Sequence, residues 1–128
     1  MTHSSIDFNN KTILITGGAG FIGSNLAFYL QENFPNSNLV IFDCFRSESV
    51  FSNGNLQSLG HYKNLIGFKG EVICGNINNL NNLSLLSHYR FDYIFHQAAI
   101  SDTRVYDQTI VMETNINSFY NLLNIAKK

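Results

Sequence analysis

The stretch Lys-Thr-Ile-Leu-Ile-Thr-Gly-Gly-Ala-Gly-Phe-Ile-Gly-Ser-Asn-Leu-Ala-Phe-Tyr-Leu, residues 11–30, decides the fold of this chain. Its apolar, β-prone start leads into a glycine-rich turn at residues 16–20. Apolar residues at helical spacing follow the turn: Phe21, Ile22, Leu26, Ala27 and Leu30. A second apolar run, residues 39–42, then ends on Asp43. The pattern predicts a strand, a turn, a helix and a second strand.

Three glycines and one acid in this unit are suited to binding a dinucleotide. Gly17 permits a tight turn, Gly20 lets backbone amides approach a pyrophosphate, and Gly23 lets the helix pack closely. The positive end of the helix dipole faces the phosphates. Asp43, 20 residues after the last glycine, can accept hydrogen bonds from an adenosine ribose. Because the strand, the helix and the acid all agree with the glycines, we predict dinucleotide binding rather than an ordinary turn.

The spacing Gly17-x-x-Gly20-x-x-Gly23 resembles that of the extended short-chain dehydrogenase/reductase family, which includes nucleotide-sugar epimerases and dehydratases. The resemblance implies an α/β fold with a Rossmann-type doubly wound parallel sheet, here truncated after about four strands in the order 3-2-1-4. We expect an N-terminal arm at 1–10 and an incomplete NAD(P)-binding domain at 11–128. The fourth strand would then be an exposed edge, and the resembled family forms homo-oligomers.

The choice between NAD and NADP stays open at this point. Asp43 favours a free 2′-hydroxyl and so favours NAD, whereas Arg46, three residues later, has the charge to meet a 2′-phosphate. Arg46 is equally consistent with a solvated charge in the aperiodic segment 46–60, which we interpret as a loop or irregular helix near the adenosine end of the site. The resemblance also places Asn76 and Ile77, after a third strand at 71–74, against the adenine. Asn76 is alternatively a helix cap or a turn residue.

The fourth strand is predicted at 92–96. The resemblance implies further cofactor contacts from the start of the first helix and from the segment that follows this strand. These candidates, with two polar residues of the last helix, are Phe21, Ile22, Gln97, Ala98, Ala99, Ile100, Ser101, Thr114 and Asn115. Ser101, Asp102 and Thr103 form a polar cluster on the substrate side, with a plain loop as the alternative. We interpret His96, inside an apolar strand, as a buried structural residue.

Segments 96–103 and 45–47 are most similar to the heptose 6-epimerase branch of that family, which serves lipopolysaccharide core synthesis. The family removes a hydride from a nucleotide-sugar to NAD(P) and returns it, using a Tyr-x-x-x-Lys pair. None of the six tyrosines here has a lysine four residues on, so we expect this chain alone to be inactive. The alternatives are a non-catalytic dinucleotide-binding module and part of another 4-epimerase or 4,6-dehydratase.

The charge, hydropathy and cysteine content of the chain exclude several classes of protein. The 8 basic and 9 acidic residues are scattered, which argues against a nucleic-acid surface. The sequence contains no membrane-span pattern, no secretory signal and no metal-type cysteine spacing. We expect a cytoplasmic protein with two reduced thiols. Two amphipathic helices are predicted from Leu80, Leu83, Leu85 and Leu86, and at 107–127 from Ile110, Val111, Thr114, Ile116, Phe119, Leu122, Leu123 and Ala126.

Overall fold

The computed structural model describes residues 5–127. Its four strands are β1 (Thr12–Thr16), β2 (Asn38–Asp43), β3 (Glu71–Cys74) and β4 (Tyr93–His96). The α-helices are α1 (Phe21–Asn33), α2 (Leu80–Ser84), α3 (Gln108–Met112) and α4 (Ser118–Ala126). Short 3₁₀ turns lie at Tyr62–Leu65 and Leu85–His88, and a π-helical turn at Glu113–Asn117 joins α3 to α4.

The four strands form one parallel sheet in the order β3-β2-β1-β4, as predicted. In the middle of the sheet Ile15 of β1 lies between Ile41 of β2 and Phe95 of β4. Within residues 5–127, β4 pairs with β1 alone and is therefore an edge strand. Since all strands are parallel, their carboxyl ends meet at one edge of the sheet.

Helices cover both faces of the sheet, which explains why β1 and β2 are apolar on both sides. On one face Ile13, Ile15, Leu39 and Ile41 pack with residues of α1, including Ala27 and Leu30. On the other face Leu14, Val40 and Phe42 pack with Leu83, Leu86 and Leu122. The alternation of strand residues between the two clusters follows the period of two in a β-strand. The predicted doubly wound α/β fold is confirmed.

The described part of the N-terminal arm, residues 5–10, packs against the folded domain through Phe8. The ring of Phe8 lies 5.1 Å from that of Phe34 and 5.0 Å from that of Tyr93, in edge-to-face contacts. These aromatic contacts fix the chain just before β1. Residues 1–4 of the predicted arm, and Lys128, lie outside the described residues.

Several apolar residues of the first two helices are exposed. Phe21 is 82% and Ile22 68% exposed, because the first turn of α1 projects beyond the edge of the sheet into the site described below. Leu80 and Leu85 are also exposed, since α2 is only five residues long and tightens into a 3₁₀ turn at Leu85. The tighter turn rotates the side chains away from the predicted face.

The last helical stretch departs further from its predicted face. The π-helical turn at Glu113–Asn117 adds a residue to one turn and rotates everything after it. Leu122 is buried as predicted, and Ser118, four residues before it, is buried on the same face. Among the residues predicted to be buried, Ile116, Phe119, Leu123 and Ala126 are exposed instead.

Candidate functional site

One large cavity lies at the carboxyl ends of the parallel strands, the edge at which open α/β sheets bind ligands. Its volume is about 1090 Å³. The glycine-rich turn, the start of α1 and the segments after β2, β3 and β4 surround it. Most residues singled out from the sequence line this cavity: Gly17, Gly20, Phe21, Ile22, Gly23, Asp43, Asn76, Ile77, Gln97, Ala98, Ala99, Ile100, Ser101, Asp102, Thr103 and Thr114.

The backbone around the turn between β1 and α1 leaves no room for a Cβ at Gly17 or Gly23. Gly17 has a φ of 67°, and a Cβ there would lie 2.7 Å from the amide nitrogen of Ala98. A Cβ on Gly23 would collide with the carbonyl oxygen of Gly17. Gly17 thus brings the end of β1 against the segment after β4. Gly23 packs the first turn of α1 onto the glycine turn itself.

The N-terminus of α1 presents backbone donors to the cavity. Gly20 is the N-cap residue, no side chain caps the helix, and the first turn contains no acid. The first N–H groups of a helix have no partner within it, and with the helix dipole they attract an anion. A Cβ on Gly20 would have only the Gly17 carbonyl oxygen nearby, at 3.3 Å, so the rest of its surroundings is open.

Asp43 is buried at the end of β2 and still borders the cavity. Its Oδ2 accepts a hydrogen bond from the amide of Ala19 at 3.0 Å, and its Oδ1 accepts one from the amide of Phe45 at 2.8 Å. A Cβ on Gly60 would collide with Oδ1. The carboxylate therefore joins the glycine turn to the loop after β2. Each carboxylate oxygen can accept a second bond, which leaves capacity for a ribose hydroxyl.

Asn76 adopts the turn conformation that the sequence left as an alternative. Its side-chain oxygen accepts a hydrogen bond from the amide of Asn78 at 2.9 Å. Asn78 in turn donates from its side chain to the hydroxyl of Thr114 at 2.7 Å. Both Asn76 and Thr114 line the cavity, next to the buried side chain of Ile77. The turn thus uses one lone pair of the Asn76 oxygen and leaves the other available.

Asn115 holds the segment after β4 instead of lining the cavity. Its side-chain oxygen accepts from the amide of Ile100 at 2.7 Å, and its side-chain nitrogen donates to the Ile100 carbonyl at 2.9 Å. Asn115 lies in the π-helical turn, a feature that often occurs at functional sites. The side chain fixes the backbone that carries the cavity residues 97–101.

A short hydrogen-bond chain fixes the ends of β1 and β4. The hydroxyl of Thr16 accepts from the amide of Ala98 at 3.2 Å and lies 2.6 Å from Nδ1 of His96. In the neutral ring with its proton on Nε2, Nδ1 accepts a hydrogen bond from this hydroxyl. Burial lowers the pKa of His96 and favours that neutral form. The ring also stacks on Phe119, which supports the structural role expected for His96.

The opposite wall of the cavity comes from the segment that the sequence places near the adenosine end of the site, without indicating which of its residues take part. This wall belongs to the loop at 44–61 and contributes Phe51, Asn55, Leu56, Gln57, Ser58, Leu59 and Gly60. Phe51 is buried, and a single antiparallel bridge joins Val50 to Leu56. The segment has the low periodicity of a plain loop, so only its position after the acid of β2 could have indicated a role.

Asp102 connects the loop to the segment after β4. Asn55 donates to Oδ2 of Asp102 at 2.6 Å, and the amide and Nε of Arg104 donate to Oδ1 at 3.0 and 3.1 Å. These bonds, led by that from Asn55, lower the pKa of Asp102 to about 2. Ser101 and Thr103, on either side, are exposed on the cavity wall.

Arg46 lies apart from these residues. Its side chain is exposed and does not line the cavity, although its amide donates to the Gly60 carbonyl at 2.7 Å. Among residues 5–127 no cluster of histidine, cysteine, aspartate or glutamate has the size needed to hold a metal ion. In the same range no helix is long and apolar enough to span a membrane.

Comparison with known proteins gives a consistent set of relatives. The model of the GDP-mannose 4,6 dehydratase family matches residues 14–128. A dTDP-D-glucose 4,6-dehydratase of Dictyostelium discoideum is 36% identical over 119 residues, which are 91% of this chain and 26% of that protein.

Solved structures include closer matches. The crystal structure of Helicobacter pylori ADP-L-glycero-D-manno-heptose-6-epimerase is 55% identical, with a TM-score of 0.84. The match covers 98% of this chain and 38% of that one. The Bordetella bronchiseptica enzyme WbmG, solved in complex with NAD and UDP, is 26% identical with a TM-score of 0.67, over 89% of this chain and 33% of that one. The chain thus spans about a third of the length of the proteins it matches.

Proposed function

The chain belongs to the GDP-mannose 4,6 dehydratase family, and from this premise we propose that it is the dinucleotide-binding part of a nucleotide-sugar epimerase. The observation that carries the proposal is the large cavity at the carboxyl edge of the sheet. The glycine turn, the uncapped N-terminus of α1 and the carboxylate of Asp43 all border it. Its volume of about 1090 Å³ lies just above the usual range for ligand sites, which ends at about 1,000 Å³.

The residues present fit a nicotinamide dinucleotide. The backbone amides at the start of α1 would hold the pyrophosphate, and Gly20 keeps the approach free of side-chain atoms. Ile77 supplies an apolar surface for the adenine, and the small residues Ala98 and Ala99 border the other end of the cavity. Once bound, such a cofactor would supply the hydride acceptor and donor for a sugar carbinol.

We propose NAD as the preferred cofactor. Asp43 is a buried acid at the place where an adenosine ribose would lie, and a 2′-phosphate there would meet a like charge. Arg46, the cation that would favour NADP, is exposed and lies outside the cavity wall. Isothermal titration calorimetry, which measures the affinities for NAD and NADP, tests this preference. Equal affinity for NAD and NADP would contradict it.

For the substrate of the whole enzyme we propose a nucleotide-activated heptose. The support is the 55% identity to the H. pylori heptose epimerase over nearly all of this chain. A family 4-epimerase or 4,6-dehydratase is the nearest alternative. We further propose a cytoplasmic location, since both cysteines are free and a reducing compartment keeps them so. Assembly into a homo-oligomer remains a proposal by analogy with the family.

A second candidate function is a non-catalytic module that binds NAD(P). The glycine turn and Asp43 support it equally, since such a module needs the same residues around the same cavity. The two functions share the cavity, so binding alone does not separate them. Sequencing the gene beyond the Lys128 codon in all three frames does. A following Tyr-x-x-x-Lys would support the epimerase, and its absence would support the module.

Titration calorimetry of the chain with NAD tests the shared part of the proposal. We expect one saturable site. The loss of that site in a Gly20→Val variant, which still unfolds cooperatively, would place the site at the glycine turn. A chain that binds neither NAD nor NADP would contradict both functions.

A further inference from the structure

The loop at 44–61 ends in a tight tip that reaches across the cavity. Phe51 donates its amide to the Asn55 carbonyl at 2.8 Å, and Gly54 donates to the Phe51 carbonyl at 2.9 Å. Gly54 has a φ of 83°, which lets the chain reverse at this point. The buried ring of Phe51 anchors the base of the tip. The tip therefore has a defined shape, and it carries Asn53 and Asn55.

The tip is tied to the other side of the cavity by Asp102. Asn55 donates to Oδ2 of Asp102 at 2.6 Å, and Asn53 donates to the same oxygen at 3.4 Å. Asn53 also donates to the carbonyl oxygen of Arg104 at 3.0 Å. These bonds join residues 47 to 51 positions apart in the chain. We call this set of contacts the clasp.

The carboxylate of Asp102 has no acceptor capacity left for a substrate. Oδ2 accepts from Asn55 and Asn53, and Oδ1 accepts from the amide and Nε of Arg104. An ionised carboxylate has about four acceptor sites, and all of them are used. The substrate-side role that the sequence suggested for Asp102 therefore gives way to a structural link between two cavity walls.

We propose that Asp102 is a positioning residue that holds the 44–61 loop closed over the cavity and so slows the release of the bound dinucleotide. The inference rests on the proposed function. Both walls joined by the clasp line the cavity, with Asn55 to Gly60 on one side and Ser101 to Arg104 on the other. The clasp therefore joins the two walls between which a dinucleotide would lie. An enzyme that lends and regains a hydride needs its cofactor to stay bound between the two transfers.

The rate of NADH release measures this role directly. In Asp102→Asn the amide offers a single oxygen and cannot accept from both Asn55 and Arg104. We expect NADH, displaced by excess NAD and followed by its fluorescence in stopped flow, to leave about tenfold faster than from the wild type. Asn55→Asp places two carboxylates together and is expected to speed release by a similar factor.

The double variant Asn55→Asp with Asp102→Asn provides the decisive comparison. It restores a carboxylate–amide pair with the two groups exchanged, while the single amide oxygen still accepts from Arg104. We expect slow release to return to within about threefold of the wild type. Glu48→Gln is the matched control, since Glu48 is an exposed acid of the same loop. It loses the same charge without touching the clasp and is expected to release NADH at the wild-type rate.

Amide hydrogen exchange separates this inference from the proposed function. The amides of Gly54 and Gln57 are bonded within the tip, and both single variants are expected to exchange faster there without any ligand. Unchanged release of NADH from variants whose tip exchanges faster would overturn the inference and leave the proposed function standing. A wild-type chain with a protected tip that does not bind NADH would overturn the proposed function, and with it the role in retention.

Discussion

Two walls enclose the same cavity and are built by different means. The turn wall, residues 16–23, is shaped by backbone that packs on backbone, as where Gly17 meets the amide of Ala98. The loop wall, residues 44–61, is held by side chains, above all by Asn55 on Asp102. A wall of the first kind requires missing Cβ atoms, whereas one of the second kind requires partners that meet across 47 positions. The first kind is therefore far less tolerant of substitution.

The largest loss of stability is expected when Gly17 of the turn wall is changed to alanine, and Gly54 of the loop wall provides the comparison. Gly17→Ala adds a Cβ that lies 2.7 Å from the Ala98 nitrogen and strains a φ of 67°. We expect the free energy of unfolding to fall by about 3 kcal/mol. Gly54→Ala has a similar φ of 83° but no atom within 4 Å of the new Cβ, so about 1 kcal/mol is expected.

Urea unfolding followed by circular dichroism measures both losses. The difference between the two variants isolates the collision, because the strain in φ is common to both. Equal losses would show that the turn wall yields as easily as the loop wall, and the comparison between the two walls would fail.

The second effect concerns binding more than stability. Gly20→Ala places a Cβ 3.3 Å from the Gly17 carbonyl oxygen and otherwise in open space. We expect the free energy of unfolding to change by no more than about 0.5 kcal/mol. The affinity for NAD, measured by calorimetry, is expected to fall by at least about tenfold, because the Cβ occupies the approach to the first amides of α1. Unchanged affinity would show that the pyrophosphate does not bind at this turn.

The turn wall and the sheet order were predictable from the sequence because their constraints are local. Gly17, Gly20 and Gly23 lie within seven residues, and the two buried strands around them appear as continuous apolar runs. The acid that ends β2 follows at a fixed distance. Few other local structures require this combination of closely spaced glycines, apolar runs and a following acid.

The loop wall and the last helical stretch were not predictable, for physical reasons. Asn53 and Asn55 belong to a chain rich in asparagine, and nothing local indicates that Asp102 is their partner. The π-helical turn at Glu113–Asn117 shifts the later side chains by one position. No residue type in that turn predicts a π-helical conformation. The sequence therefore predicted Phe119 as buried, whereas Ser118 is buried in its place.

A smaller effect is expected from His96, which ties the turn wall to β4. Burial lowers the pKa of His96 in the folded chain below the ordinary value of about 6.5. At a pH between these two pKa values, the unfolded chain binds more protons than the folded chain. Stability is therefore expected to fall as the pH is lowered through about 6.5. His96→Asn keeps an acceptor for the Thr16 hydroxyl but cannot titrate. Its unfolding free energy, measured at pH 7.5 and 5.5, is expected to change less than that of the wild type.

The opposite result for His96 would bear on the tautomer assigned above. If the wild type gained stability on acidification relative to His96→Asn, then the protonated ring would be the favoured form in the fold. The Thr16 hydroxyl would then accept from both Nδ1 and the Ala98 amide, with its own proton directed elsewhere. The present geometry, with a half-buried ring stacked on Phe119, favours the neutral ring.

The smallest effect is expected from Arg46, a charge of the loop wall that does not reach the cavity. Its side chain is exposed, so Arg46→Ala is expected to change the free energy of unfolding by less than about 0.5 kcal/mol. Its backbone amide still donates to Gly60, since the substitution leaves the main chain intact. Calorimetry is expected to give affinities for NAD within about twofold of the wild type. A selective loss of NADP binding in this variant would show that the loop moves Arg46 into the site when a 2′-phosphate is present. The preference for NAD argued from Asp43 would then be wrong, and the loop wall would contribute charge as well as shape to cofactor selection.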